Sequence, residues 1–330
     1  MSNNKRNLKG VKTLFTKINK NDISTILTVV SLILIVIIFT SINPRFLSLY
    51  NIKNILLDCA PLLLMTIGVS CVLFLGSIDL SNGAVASCSA VMLTIMLPKF
   101  GAVSFVYVFF YGAIAGLING VLHTKLKVPS FIATLCTQSI WQSIALLIAG
   151  GQPLSMTPDV WPLLKWGKFS IGPIPFMFII SIIFMGIFAV IQFKTPTGRT
   201  FLAIGCNERA ARLIGLKISF SKITAFTLSG IGAGVAGIFF AVKLKSGIPT
   251  VGEQYNLMSI AAAVLSGVLL TGGKGNILLT FVGVALITAI QNGMNVIAVD
   301  GFWQKIVFGL IVVVAIYINS DRKNFKLIVK

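Results

Sequence analysis

The sequence contains little charge and very little acid. Only 11% of its 330 residues are charged and eight are acidic, whereas 56% are hydrophobic. Soluble proteins have about one quarter charged residues, so an ordinary water-soluble core is excluded. Apolar runs of about 20 residues are long enough to cross a bilayer as helices, and helices satisfy the backbone polar groups that lipid cannot. We therefore predict an all-α, polytopic integral membrane protein.

Side chains suited to catalysis are also scarce. The single histidine, His123, stands at a basic helix end with no carboxylate near it in sequence, and the eight acidic residues are scattered. The five cysteines show neither metal nor disulfide spacing and are interpreted as small packing residues. The segment Thr271–Gly275 resembles part of a phosphate loop but lacks its full spacing and a preceding strand. These absences predict a protein that is not an enzyme and has no metal site and no cofactor.

The apolar runs predict about ten transmembrane spans. Their centres lie near Leu32, Met65, Ala90, Ala113, Leu135, Ile183, Ser229, Ala262, Ala285 and Val312. The first, from Ile23 to Thr40, has no small-residue cleavage site and is interpreted as a retained span rather than a signal peptide. With ten spans and both termini in the cytoplasm, 19 of the 27 Lys and Arg residues lie inside. This positive-inside bias, rather than nucleic-acid binding, explains the net charge of +19 and predicts a multi-pass protein of the cytoplasmic membrane.

The predicted organisation is one transmembrane domain, residues 21–320, between a basic cytoplasmic tail (1–20) and a short cytoplasmic tail (321–330). Asn119-Gly120 and Asn292-Gly293 recur five spans apart, which indicates a five-plus-five inverted repeat. The outer loop 150–175 contains five prolines and two tryptophans. That loop could either meet an external partner or cap the bilayer interface.

A charged loop near 194–221 separates two long apolar runs. Its small residues and leucines at helical spacing predict a short helix that is presented to a cytosolic partner, as in a subunit of an energised transporter. The alternative is a solvated loop that only follows the positive-inside rule. The residues that support the first interpretation are Gly198, Arg199, Asn207, Glu208, Arg209, Ala210, Ala211, Arg212, Leu213, Ile214 and Gly215.

Asp79 is an acidic residue between two apolar runs, in Gly76-Ser77-Ile78-Asp79-Leu80-Ser81-Asn82-Gly83. An ionisable group in or near the membrane is costly and usually faces the protein interior or a water-filled cavity. The glycines and Asn82 suggest a broken helix, so Asp79 could cap the helix that follows. Contact with a polar solute or a coupling cation, and a role in gating, are the functional alternatives.

Polar but uncharged side chains are the other candidates for a translocation path. Amides hydrogen-bond hydroxyl groups without selecting for charge, so as a group they favour a neutral, hydroxyl-rich solute; hydrogen bonds between helices are the alternative for each of them. The path candidates, with Asp79, are Asn82, Asn119, Gln138, Gln142, Gln291, Asn292 and Asn295. Gly230, Gly234 and Gly237 predict a close helix–helix contact rather than a gate hinge.

Several short motifs occur in order from about residue 25 to residue 320. They include Ser77-Ile78-Asp79-Leu80-Ser81, Asn119-Gly120, Val128-Pro129-Ser130-Phe131, Gly151-Gln152-Pro153, Gly198-Arg199, Asn207-Glu208-Arg209-Ala210-Ala211-Arg212-Leu213-Ile214-Gly215, Gly272-Gly273-Lys274-Gly275 and Asn292-Gly293. This order resembles the permease subunits of ATP-binding-cassette (ABC) sugar importers of the ribose/xylose/galactose branch. Departures such as Cys136, where a glycine is usual, leave room for one half of a heterodimeric permease pair.

The resemblance implies a set of partners. These are a cytoplasmic ABC ATPase subunit, an extracytoplasmic sugar-binding protein, a second copy of the permease or a homologous permease, and membrane lipid. It also implies that Leu213 and Ile214 enter a groove of the ATPase, that Arg209 and Arg212 meet its acidic rim, and that transport proceeds by alternating access. The alternatives are a self-contained, ion-coupled secondary transporter and an ABC permease for nucleosides or a furanose signal.

Overall fold

The computed structural model describes residues 20–319, which are mostly helical. The helices are α1 (Lys20–Ile42), α2 (Leu49–Phe74), α3 (Asn82–Phe100), α4 (Val103–Thr124), α5 (Ser130–Ala149), α6 (Phe176–Lys194), α7 (Pro196–Cys206), α8 (Glu208–Leu213), α9 (Ile218–Leu244), α10 (Glu253–Leu265), α11 (Thr280–Val296) and α12 (Gly301–Asn319). Two 3₁₀ segments span Pro44–Leu47 and Pro158–Lys168. Short strands pair Leu154–Ser155 with Ser246–Gly247, and Ser170–Ile171 with Ile174–Pro175. The predicted tails lie outside the described residues, apart from Lys20.

Six helices of the described range are long and apolar enough to cross a membrane, namely α2, α3, α4, α5, α6 and α9. Shorter apolar helical stretches cover Ile26–Ile42, Thr280–Val296 and Gly301–Ala315. Large apolar side chains such as Phe110 on α4 and Leu310 on α12 are exposed, as expected of surfaces that face lipid. The chain is thus a helical, multi-pass membrane protein, and the number of ten spans stays a prediction.

Helix α9 lies at the centre of the structure and packs against α2, α3 and α4. Glycines allow its close approach to α4, since a Cβ atom added to Gly112 would meet the carbonyl oxygen of Gly230 and one added to Gly116 would meet that of Phe226. Small residues at such contacts let helix backbones approach closely in lipid. Gly234 lies on the same α4–α9 contact, and Gly237 meets the backbone of Ala86 in α3.

Two irregular stretches, residues 75–81 and 246–252, precede α3 and α10. Irregular backbone at membrane depth is tolerated only where protein covers it or it lines a water-filled cavity, and here each stretch contacts the first turns of the helix that follows the other stretch. The backbone of Gly252 lies against Gly83, the amide of Gly252 donates to Ser87 Oγ at 2.8 Å, and Asn256 Nδ2 donates to the Leu80 carbonyl at 2.5 Å. The helix break predicted around Asp79 therefore has a counterpart before α10.

The span predicted near Ala262 is shorter than a full membrane crossing. Helix α10 contains 13 residues, which is about 20 Å of helix against a hydrocarbon core of about 30 Å. Pro249 lies in the turn before it, and proline lacks the backbone N–H of a helix interior. Gly267, Gly272 and Gly273 follow it with positive φ, a conformation that ends a helix and suits glycine.

Candidate functional site

The charged loop folds into two short helices, α7 and α8, joined at Asn207. Thr195 caps α7 by accepting from the Gly198 amide at 3.4 Å, and Asn207 caps α8 by accepting from the Ala210 amide at 3.1 Å. Asn and Thr are preferred at this position because their side chains satisfy free backbone N–H groups. The predicted short helix is therefore present and begins at Glu208.

The last residues of this loop expose apolar surface. Leu213 is 89% exposed and Ile214 is 75% exposed, next to a positive-φ turn at Gly215. Ala211 is buried and fixes α8 to the rest of the structure. Arg209 is exposed as well, so the loop presents an apolar pair with a basic side chain nearby.

Glu208 joins α8 to the start of α9. Its Oε1 accepts from Arg212 at 3.1 Å and its Oε2 accepts from Lys222 at 2.9 Å. Partial burial by itself would raise the pKa of the Glu208 carboxyl, but Lys222 and then Arg212 outweigh it and hold the pKa below its ordinary value. Through these two ion pairs Glu208 holds α8 against the start of α9, and it also forms part of the surface of the loop.

The junction of α7 and α8 touches the core through backbone atoms. A Cβ atom on Gly205 would meet the carbonyl oxygen of Phe74, at the end of α2, and the amide of Gly273. The Gly273 amide donates to the Phe74 carbonyl at 2.9 Å, and Gly272 lies against Gly76. These contacts form a glycine joint (Gly76, Gly205, Gly272, Gly273) between the loop and the stretch that contains Asp79.

A second attachment runs through Gln192 at the end of α6. Its Nε2 donates to the Gly275 carbonyl at 2.8 Å and its Oε1 accepts from the Ile277 amide at 2.9 Å, while Gly198 lies on its backbone. Gln192 could not be predicted from sequence. Its sequence signal is an amide at the end of an apolar run, which is too common to identify a site.

Asp79 is buried and accepts three hydrogen bonds. Its Oδ1 accepts from the Ser81 amide at 2.9 Å and from Ser81 Oγ at 2.7 Å, and its Oδ2 accepts from Ser229 Oγ at 2.7 Å. Ser81 stands at the N-terminal cap position of α3. Asp79 therefore orders the turn before α3 and links it to the middle of α9.

This network continues to α4 and α5. Asn119 Nδ2 donates to Ser81 Oγ at 2.7 Å, and Thr137 Oγ1 donates to Asn119 Oδ1 at 2.6 Å. Asn82 Nδ2 donates to Ser259 Oγ of α10 at 3.0 Å. Asp79, Asn82 and Asn119 are all buried in side-chain hydrogen bonds between helices, an arrangement that fixes helix positions.

The remaining predicted path residues are distributed over α5 and α11. Gln142 Nε2 donates to the Pro249 carbonyl at 2.8 Å, whereas Gln138 and Gln291 are half-buried. Asn292 and Asn295 line a polar cleft of about 360 Å³ at the ends of α2, α9 and α11, together with Asn51, Asn54, Leu57, Asp58, Lys243 and Val296. Of the eight path candidates, Asn292 and Asn295 line this cleft.

A larger groove of about 930 Å³ runs between α10 and α12. Its wall is mostly apolar, with Glu253, Gln254, Gln304 and Lys305 among the lining residues. Within residues 20–319 no group of three or more His, Cys, Asp or Glu side chains could hold a metal ion. The chemistry available is hydrogen bonding and docking, with few groups suited to catalysis.

Comparison with known proteins gives one consistent family. A family model described as branched-chain amino acid transport system / permease component matches residues 51–316. The chain is similar to the ribose import permease protein RbsC of Bacillus subtilis (strain 168), with 35% identity over 297 residues that cover 89% of this chain and 91% of the relative. The corresponding RbsC of Escherichia coli (strain K12) is 31% identical over 303 residues, 90% and 94% of the two chains. The L-arabinose transport system permease protein AraH of Escherichia coli (strain K12) is 30% identical over 291 residues, 86% of each chain.

Proposed function

The chain belongs to the family of ABC transporter permease components of the branched-chain amino acid type, and from that premise we propose that it translocates a pentose or hexose across the cytoplasmic membrane. It is a permease and not an enzyme, since ATP hydrolysis belongs to a separate subunit of such transporters. The similarity to ribose and L-arabinose permeases supports a monosaccharide as the solute.

The observation that carries this proposal is the exposed apolar pair Leu213 and Ile214 on a capped two-helix loop. Exposed apolar side chains on an otherwise polar loop favour a protein partner over solvent. We place the ATPase contact there, with Arg209 and Arg212 beside it. Residues Gly198 to Gly215 are the coupling segment of this proposal.

The proposed motion passes from this segment to the membrane through the glycine joint. Gly205 contacts the end of α2 and the Gly272-Gly273 turn without an intervening side chain, so a displacement of α7 and α8 moves those backbones directly. Gly76 lies three residues before Asp79 in the same stretch. ATP-driven closure of the ATPases would thereby alter the helices around Asp79 and switch the side to which the path opens.

The proposed topology has ten spans with both termini in the cytoplasm. It is supported by the basic residues, 19 of 27 on the inner side. It is also supported by the two irregular stretches, 75–81 and 246–252, since they precede the third and eighth predicted spans, and Gly252 of the second stretch contacts Gly83 at the start of the third span. Such a pair five spans apart fits an inverted repeat with the path at the repeat interface.

On the outer side, the proposed partner is a sugar-binding protein. Lys165 and Lys168 lie on the 3₁₀ segment of the outer loop, and Lys245 places its Nζ 3.5 Å from the centre of the Trp161 ring. A basic surface that contains an exposed aromatic ring suits an acidic protein partner. The exposed apolar face of α12 and the groove beside it suit a second permease, either the same chain or a homologue.

The experiment that tests the proposal is a gentle-detergent pull-down of the tagged chain from its native membrane, with mass spectrometry of the proteins that come with it. We expect an ATP-binding subunit with the wild type and its loss with Leu213→Ser/Ile214→Ser. Ile171→Ser is the matched control, because Ile171 is an exposed apolar residue of the loop 150–175, outside the coupling segment.

Recovery of the wild-type chain alone would contradict the proposal and favour the secondary transporter. If the double variant still recovers the ATPase, Leu213 and Ile214 do not form the ATPase contact. Uptake of labelled ribose, arabinose and xylose by liposomes that contain the recovered complex then identifies the sugar, and uptake of a nucleoside instead would overturn the sugar assignment.

A further inference from the structure

The polar cleft between α2, α9 and α11 differs in chemistry from the rest of this apolar chain. Six of its eight lining residues are polar: Asn51, Asn54, Asp58, Lys243, Asn292 and Asn295. Its volume of about 360 Å³ falls within the range of about 300–1,000 Å³ typical of small-molecule sites. The cleft is therefore large enough for a small polar solute.

Part of this polar lining is fixed by internal hydrogen bonds. Asn51 Nδ2 donates to the Phe46 carbonyl at 2.8 Å and to Asn292 Oδ1 at 2.7 Å. Asn295 Oδ1 accepts from Gln304 Nε2 at 2.8 Å. These bonds orient the amides before any solute arrives, and pre-organised groups lose less freedom on binding.

Other hydrogen-bonding capacity in the cleft is unused. Within residues 20–319, the Nδ2 groups of Asn292 and Asn295 donate to no acceptor, and the side chain of Asn54 forms no hydrogen bond. An amide offers two donors and one acceptor with two lone pairs. The cleft thus offers both donors and acceptors, which is what a hydroxyl group requires.

The charges in the cleft cancel. Lys243 Nζ forms an ion pair with Asp58 Oδ1, so the cleft contains one positive and one negative side chain already in contact. A charged solute would have to compete with this pair, whereas a neutral solute can hydrogen-bond to its free edges. The lining therefore favours neutral, polyhydroxyl molecules over ions.

We infer that this cleft is a subsite for a single monosaccharide at the outer mouth of the permease. The inference rests on the proposed function, which puts the start of α2 and the ends of α9 and α11 on the outer side. Asn54 and Asn295 are the residues that contact sugar hydroxyls, and Asn51 and Asn292 are the positioning residues beneath them. The sugar meets this subsite before it reaches the buried helices around Asp79.

The test is saturation-transfer NMR on the full-length chain in lipid nanodiscs, with D-ribose and L-arabinose as probes. We expect saturation transfer to at least one of these sugars with the wild type, and about tenfold weaker binding with Asn54→Leu/Asn295→Leu. Leucine is close to asparagine in size, and an unchanged melting midpoint shows that the double variant is folded. Gln152→Leu is the control, since Gln152 is an exposed amide of the outer loop outside the cleft.

Equal binding by the double variant and the wild type overturns the subsite, as does the absence of transfer to both sugars in the wild type. Uptake by the recovered complex separates this result from the proposed function. If the wild-type complex takes up sugar but the double variant binds sugar as well as the wild type does, the cleft is refuted and the proposed function stands. A chain that recruits no ATPase and takes up no sugar refutes the proposed function.

Discussion

The carboxylate of Asp79 holds together segments that are far apart in the sequence. Ser81 is two residues away and Ser229 is 150 residues away, and both donate to it. A buried carboxylate is costly unless its oxygens accept hydrogen bonds. Here both oxygens do, which explains how an acidic residue can lie among apolar helices.

Asp79→Asn is expected to destabilise the protein, because an amide nitrogen cannot accept the hydrogen bonds that a carboxylate oxygen accepts. The expected loss is about 1–3 kcal/mol in the free energy of unfolding, with a larger loss for Asp79→Ala. The melting midpoint in detergent measures it, and Asp159→Asn on the exposed outer loop is the control. An unchanged midpoint together with lost uptake would instead support the solute-contact or gating alternative.

Glu208 gives a prediction about pH. Its pKa is held below the ordinary value of 4.5 in the folded protein, so its contribution to stability is complete above pH 4.5 and disappears as the pH falls through the lower folded pKa. Because the pair is partly exposed, the contribution is at most about 1 kcal/mol. Glu208→Gln removes it at every pH.

The measurement is the difference in melting midpoint between the wild type and Glu208→Gln from neutral pH down to about pH 3.5. We expect the difference to be constant near neutrality and to shrink towards zero at the acidic end. A difference that does not change with pH would show that Glu208 stabilises the loop by packing rather than by its charge.

Among the elements, α4 and α9 form the contact that depends most on glycine. Gly116→Ala is expected to cost about 1–3 kcal/mol in unfolding free energy, because its Cβ would meet the carbonyl oxygen of Phe226 and neither backbone can easily move. Gly186→Ala on α6 is the matched control, since an added Cβ there meets nothing within 4 Å apart from the adjacent backbone of its own helix. Equal melting midpoints for the two variants would contradict a close α4–α9 contact.

Some helices could be predicted from the sequence, whereas the contacts between distant segments could not. Hydropathy located α2, α6 and α9 because lipid accepts only long apolar helices, and small residues and leucines at helical spacing predicted the short helix α8. The Asn207 cap of α8 is seen only in the structure. The hydrogen bond between Asn51 and Asn292 joins residues 241 apart, and no local pattern encodes such a pairing. For the same reason the glycine joint and the role of Gln192 emerge only from the structure.

At the scale of the whole molecule, the number of spans depends on whether the stretch around α10 crosses the membrane. The helix of 13 residues contributes about 20 Å, so a crossing of the hydrocarbon core of about 30 Å needs a further length of about 10 Å from the residues beside it. Residues 246–252, a short strand followed by turns, are shorter than the about 23 Å of a fully extended segment. Because α3 covers these residues through Gly83, Ser87 and Val91, a crossing needs no exposed backbone in lipid.

This crossing predicts the sides on which three positions lie. Cys136 and Cys206 are the exposed cysteines of the described range, so both are first replaced by Ser. In this background, Asp159→Cys and Asn295→Cys should react with an impermeant maleimide in intact cells. Asn276→Cys, in the turn between α10 and α11, should react only after the membrane is opened. If residues 246–279 stayed on the outer side, Asn276→Cys would react in intact cells and Asn295→Cys would not. The number of spans would then be odd. With the amino-terminal end inside, an odd number of spans puts the carboxyl-terminal end outside, against the positive-inside distribution of Lys and Arg.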